Sequence, residues 1–371
     1  MLGLSGLHSI HFAVKSLADT RDFYERQLGF VPLFKASAAL AERSGQDSIV
    51  YGGGTARVCL SAPKNETCKA ARYLKQHPEG VMSVAFNVED IQHTFKTLEK
   101  NGATPLSDIN VAGDYKDFEI TTPLGDVQFR FIQAKGTPFA PGFEALPVKE
   151  RGVIPWIGVD HLTCNMRTIK PFVDWLKDVM GFEQFWQIEF HTSQLEAGKT
   201  KETGSGLKSI VMWDPKSEIK VASNEPLRPF FRQSQIERFV EDNRGAGVQH
   251  IALGVPSAID AVKHLKKVGL KFLDAPPSYY ERLPARFKEV GFDIARVKEP
   301  LAEIQKNNLL VDGSKDGYLL QIFSDELREV SDNQGGAPAF YEVIQREGDR
   351  GFGYGNFRAL FEAIEALQTK R

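Results

Sequence analysis

Val81–Gly102 reads VMSVAFNVEDIQHTFKTLEKNG, and Val248–Gly269 reads VQHIALGVPSAIDAVKHLKKVG. The two stretches are one unit written twice. From Ala85 to Gly102 is 17 positions, and from Ala252 to Gly269 is also 17. Each opens as a short strand and passes a capping residue, Asp90 or Ser257. Each then carries apolar residues at helical spacing (Ile91, Phe95, Leu98; Ile259, Val262, Leu265) and stops at glycine. A repeat constrains the architecture more than any single element does.

A second pair lies upstream in each half. Ser9–Val14 reads as a strand, followed by a helical run with Phe23 and Leu28 on its apolar face, closing at Gly29-Phe30. Val159–Thr163 is again a strand, followed by a helix with Phe172, Trp175, Leu176 and Val179, closing at Gly181-Phe182. This alignment sets His161 opposite His11, with two extra residues in the second strand-to-helix link. Each helix is followed by strand-rich sequence: 49–60, 118–133, 209–222, and Tyr318–Phe323 with Ala339–Ile344. The reading is four βαβββ modules, paired into two α+β domains. The first domain spans 1–134, and the Pro/Gly-rich segment 135–155 is the linker. The second domain spans 156–371.

At 371 residues, 42% apolar and 25% charged, the composition is that of an ordinary globular protein. A net charge of −2 with mixed signs predicts neither a nucleic-acid nor a membrane partner, and no apolar run approaches a membrane span. Three scattered cysteines (Cys59, Cys68, Cys164) and no basic leader point to a reducing, cytoplasmic setting without a secretion signal.

The halves differ where chemistry would sit. Glu342 lies in a strand-like run among Phe340, Tyr341, Val343 and Ile344. A carboxylate there is costly to bury unless it is paired or bound to a metal. It faces solvent, pairs with Arg346, or serves as a ligand. Aligning the repeats sets His250 opposite Ser83, and the first half has no counterpart of Glu342. Only the second half therefore combines His161, His250 and Glu342 on three strands. Two imidazoles and one carboxylate make the facial set of non-haem Fe(II) enzymes, although zinc, manganese and nickel accept the same donors. His191 is an outside candidate ligand. His8, His77, His93 and His264 read as surface residues.

Several blocks of the second half resemble the 4-hydroxyphenylpyruvate dioxygenase family of the vicinal-oxygen-chelate group. They are GVDH (Gly158–His161), GSGLKS (Gly204–Ser209), NEP (Asn224–Pro226), SQI (Ser234–Ile236), GAGVQHIAL (Gly245–Leu253), GYLLQIF (Gly317–Phe323), YEVIQR (Tyr341–Arg346) and GFGYGNFRALFEAIE (Gly351–Glu365). The resemblance implies two glyoxalase-like open-barrel domains and Fe(II) held by His161, His250 and Glu342. It implies 4-hydroxyphenylpyruvate and O2 as the molecules bound, and conversion to homogentisate and CO2 by decarboxylation, ring hydroxylation and side-chain migration, in tyrosine and phenylalanine catabolism. Ser209, Asn224, Gln235, Gln249 and Gln321 fall where the family lines the substrate pocket. Phe323, Phe340, Phe352 and Phe357 fall where it packs aromatic rings around the substrate. Asn356, also at a pocket position, would cap a C-terminal lid helix striped by Phe357, Leu360, Phe361, Ile364 and Leu367. No separate protein acid or base is assigned. A homo-oligomer, dimer or tetramer, is expected from the surface the first domain and linker leave for self-association. The alternatives are 4-hydroxymandelate synthase, which shares substrate and ligands, a non-catalytic binder of the same fold, and a zinc or nickel isomerase. Asn224 and Phe340 match the dioxygenase form.

Overall fold

The computed structural model describes residues 1–136, 139–148, 152–191, 206–227, 234–289, 291–327, 337–353 and 355–356. The expected lid helix, including Phe357, lies outside these residues. The first half forms β1 (Leu4–Ala13), β2 (Val31–Ala36), β3 (Gln46–Gly53), β4 (Ala56–Pro63), β5 (Gly80–Val88), β6 (Asn110–Ala112), β7 (Tyr115–Ile120), β8 (Gln128–Gln133) and β9 (Phe143–Ala145). The second forms β10 (Gly158–Asn165), β11 (Glu183–His191), β12 (Gly206–Trp213), β13 (Lys220–Pro226), β14 (Gly247–Gly254), β15 (Leu310–Gly313), β16 (Tyr318–Phe323) and β17 (Phe340–Glu347).

The sheet orders are β6-β7-β8-β5-β1-β4-β3-β2-β9 and β11-β12-β13-β10-β14-β17-β16-β15. In every module the first strand leads into a helix, and the chain returns so that the last strand lies parallel beside the first: β1 with β4, β5 with β8, β10 with β13, β14 with β17. Two modules join where their first strands pair antiparallel, β1 with β5 and β10 with β14. Each sheet is thus a curled half-barrel with a central seam. Phe143–Ala145, within the stretch read as linker, adds to β2 as an edge strand.

The helix after the repeated strand forms where the sequence places it, over Ile91–Lys100 and Ala258–Lys267. Asp90 accepts from the backbone N–H of Gln92 and His93, and Ser257 accepts from that of Asp260. Ile91 and Leu98 on the first helix, and Val262 and Leu265 on the second, are fully buried against their sheets. One continuous core runs from Phe86, Phe118 and Phe131 through Phe172 to Tyr341 and Val343, joining both halves. Trp156 Nε1 donates to the Leu28 carbonyl at 2.9 Å, and the Tyr24 and Tyr341 hydroxyls meet at 3.1 Å. The strand that carries Glu342 is therefore braced by the first half.

Strand register corrects one expectation. Ser9 lies opposite Ala85 and His11 opposite Ser83, whereas His161 lies opposite Ala252 and Thr163 opposite His250. Ser9, not His11, is the counterpart of His161. With this pairing Ser9 to Gly29 and His161 to Gly181 are both 20 residues, and the two extra residues disappear. A slip of two keeps every side chain on its face, so alternation alone does not reveal it. The same logic supplies the missing partner of Glu342: Ala252 pairs with Glu342 and Ala85 with Arg130.

Candidate metal centre

His161 on β10, His250 on β14 and Glu342 on β17 occupy three adjacent strands of the second sheet. Ala252 sits between His161 and Glu342 in the same register row, and His250 is two residues back along the central strand. Directly paired residues face the same side, so all three side chains enter the half-barrel over the small Ala252. All three are buried, and one donor atom from each lies within 4.8 Å of the others. His161 Nε2 is 3.4 Å and His250 Nε2 3.3 Å from the same oxygen, Glu342 Oε2. Glu342 Oε1 is buried without a hydrogen-bond partner.

Glu342 therefore neither faces solvent nor pairs with Arg346, whose guanidinium spans Asp160 instead, with Nε to Oδ2 at 2.6 Å and Nη2 to Oδ1 at 2.7 Å. Burial alone would push the Glu342 carboxyl up, but the two imidazoles reverse this and hold it at about 2. Burial likewise works against the charged form of His161, yet the Glu342 and Asp160 carboxylates raise it above its ordinary value. At His250 burial wins and the ring is pushed down. An anionic carboxylate, two convergent Nε2 atoms and an unpartnered buried oxygen are the donor set a divalent cation requires.

Beside this set is a cavity of about 30 Å³ lined by His161, Thr163, Leu207, Ala222, Asn224, Gln235, Ile236, Gln249, His250, Gln321, Phe323, Glu342 and Phe352. Six of the residues expected at the pocket are among these: Asn224, Gln235, Gln249, Gln321, Phe323 and Phe352. Ser209 lies one layer out, opposite Asn224 in register. Ser209 Oγ and Asn224 Oδ1 are buried without partners, while Asn224 Nδ2 donates to Asn165 Oδ1 at 3.1 Å. Phe340 stacks on the His250 ring at 5.0 Å. Phe352 meets the His161 ring edge-on at 4.7 Å. Asn356 is buried, with its Oδ1 accepting from the Tyr279 hydroxyl at 2.5 Å.

Thr163, Leu207, Ala222 and Ile236 carry no signal in the sequence that sets them apart from core residues. Asp160 has no role in the sequence reading, and Arg346 enters it only as a possible partner of Glu342. His191 ends β11, and its side chain lies outside the described residues. His8 and His77, read as surface, are buried: His8 is on β1, and His77 bridges the Asn243 carbonyl and Asp126 Oδ2 at 2.7 Å each. The equivalent place in the first sheet has Ser9, Ser83 and Arg130. Arg130 is paired with Asp117 at 2.7 Å, beside a Lys69–Glu119 pair at 2.8 Å.

Paired βαβββ modules around a buried two-histidine, one-carboxylate set define a metal-dependent enzyme of the glyoxalase type. A family model described as the Glyoxalase/Bleomycin resistance protein/Dioxygenase superfamily matches residues 6–127 and 158–287, one match in each half. The 4-hydroxyphenylpyruvate dioxygenase of Dictyostelium discoideum is 30% identical over 382 residues, covering 99% of each chain. That of Danio rerio is 34% identical over 387 residues, covering 98% of this chain and 91% of its own. The chain belongs to the 4-hydroxyphenylpyruvate dioxygenase family. Solved structures share the fold. A mutant 4-hydroxymandelate synthase from Streptomyces coelicolor superimposes with a TM-score of 0.80 at 24% identity, covering 99% of each chain. A xylose isomerase-like TIM barrel/4-hydroxyphenylpyruvate dioxygenase fusion protein superimposes with 0.74 at 19%, over 98% of this chain and 52% of its own. Among the described residues no helix is long and apolar enough to cross a membrane.

Proposed function

We propose that this chain converts 4-hydroxyphenylpyruvate and O2 to homogentisate and CO2, using Fe(II) held by His161, His250 and Glu342. The supporting observation is the convergence of both Nε2 atoms on Glu342 Oε2 while Oε1 stands buried and unpartnered. The reaction balances without another co-reactant: one carboxyl carbon leaves as CO2, and both atoms of O2 enter the products. Bound iron would anchor the oxoacid as a Lewis acid and supply the redox chemistry toward O2.

The chain's own residues bind, orient and exclude water. Gln249, Gln321 and Gln235 present neutral amides that orient the oxoacid and phenol without adding charge. The unpartnered Ser209 Oγ and Asn224 Oδ1 receive a polar end of the substrate, since buried polar atoms left unpaired are costly. Phe323, Phe340 and Phe352 pack the ring and keep the site dry. A cavity of about 30 Å³ holds little more than a water, so the pocket must widen to admit substrate. The family resemblance adds Asn356 and Phe357 to the residues that serve the substrate. Residues 1–134 act as a structural partner to the catalytic 156–371 domain in a cytoplasmic homo-oligomer.

The test is O2 uptake and CO2 release by anaerobically Fe(II)-loaded protein given 4-hydroxyphenylpyruvate. Equal amounts of both are expected. Turnover without O2 would replace the dioxygenase reading with an isomerase, and no turnover at all would leave a binder.

A further inference from the structure

His161 is held very differently from His250. Its Nδ1 faces Asp160 Oδ1 at 2.7 Å, and the Asp160 carboxylate is only slightly exposed. Arg346 closes on both oxygens of that carboxylate. The same guanidinium turns its remaining nitrogen, Nη1, to the backbone carbonyls of Asp349 at 3.1 Å and Gly351 at 2.7 Å. Phe352, the next residue, lies with its ring 4.7 Å from the His161 ring and 5.9 Å from the Arg346 guanidinium carbon. One chain of contacts therefore runs from a ring nitrogen of His161 to the turn that carries Phe352. Among the described residues His250 has no charged partner on Nδ1. Its Nδ1 is 3.3 Å from the neutral Gln249 Oε1, and its ring is held by stacking on Phe340.

We infer that Asp160 and Arg346 are positioning residues: Asp160 fixes the proton of His161 on Nδ1 and points Nε2 at the metal, and Arg346 locks that carboxylate to the turn placing Phe352 over the site. A carboxylate on the far nitrogen of an imidazole sets its tautomer and ring angle and makes it a stronger donor. Arg346 neutralises the buried Asp160 charge in a two-pronged pair, a geometry that lysine cannot reproduce. The two halves of the molecule support the same division. The residue at the Asp160 position in the first sheet is His8, beside Ser9 in place of His161, and no ligand set forms there among the described residues. This inference rests on the metal-site reading proposed above.

The experiment uses the full chain with Co(II) as a spectroscopic probe and Fe(II) under anaerobic conditions, without substrate, with affinities read by chelator competition. Asp160→Asn keeps the shape but removes the charge, and a 10–100-fold loss of metal affinity is expected, with a changed Co(II) visible spectrum. Arg346→Lys keeps a cation but loses the two-pronged contact. A smaller loss of affinity is expected there, with restored binding at high metal but a raised KM relative to kcat, because Phe352 is no longer held. Folding is checked by far-UV circular dichroism. Should Asp160→Asn fail to fold, the Arg346→Lys spectrum and affinity decide the matter. Wild-type affinity and spectrum in folded Asp160→Asn, or in Arg346→Lys where only that variant folds, would overturn the inference. A wild-type chain that binds neither metal would instead overturn the metal-site reading itself.

Discussion

Glu342→Gln tests the donor set at the residue both imidazoles face. The side chain is 2% exposed and keeps its shape on substitution, so the change is almost purely electrostatic. The carboxylate faces two imidazole Nε2 atoms at 3.4 and 3.3 Å. A charge-assisted contact of this kind contributes about 1.5–3 kcal/mol, and the amide keeps part of it, so the metal-free variant should lose about 1–3 kcal/mol. The metal adds a larger distinction. Free metal at about 100 times its dissociation constant stabilises the wild-type chain by about 2.7 kcal/mol. For a chain of 371 residues each kcal/mol moves the melting temperature by about 1–2 °C, giving a rise of about 3–5 °C. The assay is calorimetric melting at pH 7, with and without anaerobic Fe(II), for both proteins. The wild type should rise and Glu342→Gln should not, at the same metal concentration. A variant that rises as much as the wild type would refute Glu342 as a ligand. A variant that loses the rise but melts like metal-free wild type would keep the ligand and refute the imidazole contribution.

Ala252 is fully buried between His161 and Glu342. Ala252→Leu should overfill the floor of the set, costing about 1–3 kcal/mol and abolishing tight metal binding. Ala252→Gly, checked by the same chelator competition, should retain it. The first sheet has Ser9, Ser83 and Arg130 at the equivalent places, and a guanidinium has no lone pair to give. Metal analysis should therefore find one ion per chain, and His11→Ala should leave that count unchanged; a second equivalent lost in this variant would contradict the register. Burial first, then Arg57 and Arg130, lowers His8 from 6.5 to about 3. The unfolded chain thus takes up this proton near 6.5 and the folded chain does not until about 3, so stability falls as pH drops below 6.5 and levels off below about 3. At pH 5 the loss is about 2 kcal/mol from this residue. Denaturant midpoints from pH 7 to 5 should fall less steeply in His8→Gln, and an unchanged slope would show His8 to be protonated in the fold.

The repeat was legible because the caps Asp90 and Ser257, the apolar pairs Phe95/Val262 and Leu98/Leu265 and the terminal glycines fall in register. Glu342 was legible because a carboxylate is out of place in AFYEVI, and His250 because Ser83 stands in its place. The slip between His11 and Ser9 came from the two-residue period of strands. Pairing register, which only the structure provides, settles it. Arg130 could not be recognised as the counterpart of Glu342 because a base replaced an acid and drew in Asp117 and Glu119 around it. His77 is buried by partners 49 and 166 residues away, and Asp160 meets Arg346 across 186. No local pattern marks such contacts. The cavity walls at Thr163, Leu207 and Ala222 have ordinary strand composition, and only the curl of the sheet makes them a pocket.

The most direct measurement is the product formed from 4-hydroxyphenylpyruvate under 18O2 by Fe(II)-loaded enzyme, identified by mass and chromatographic retention. Homogentisate carrying two labelled oxygens, one in the ring hydroxyl and one in the new carboxylate, is expected, with none formed by the metal-free chain. Doubly labelled 4-hydroxymandelate would keep the metal and the fold but contradict the pocket assignment. An unlabelled product, or turnover equal without iron, would contradict the dioxygenase chemistry at His161, His250 and Glu342.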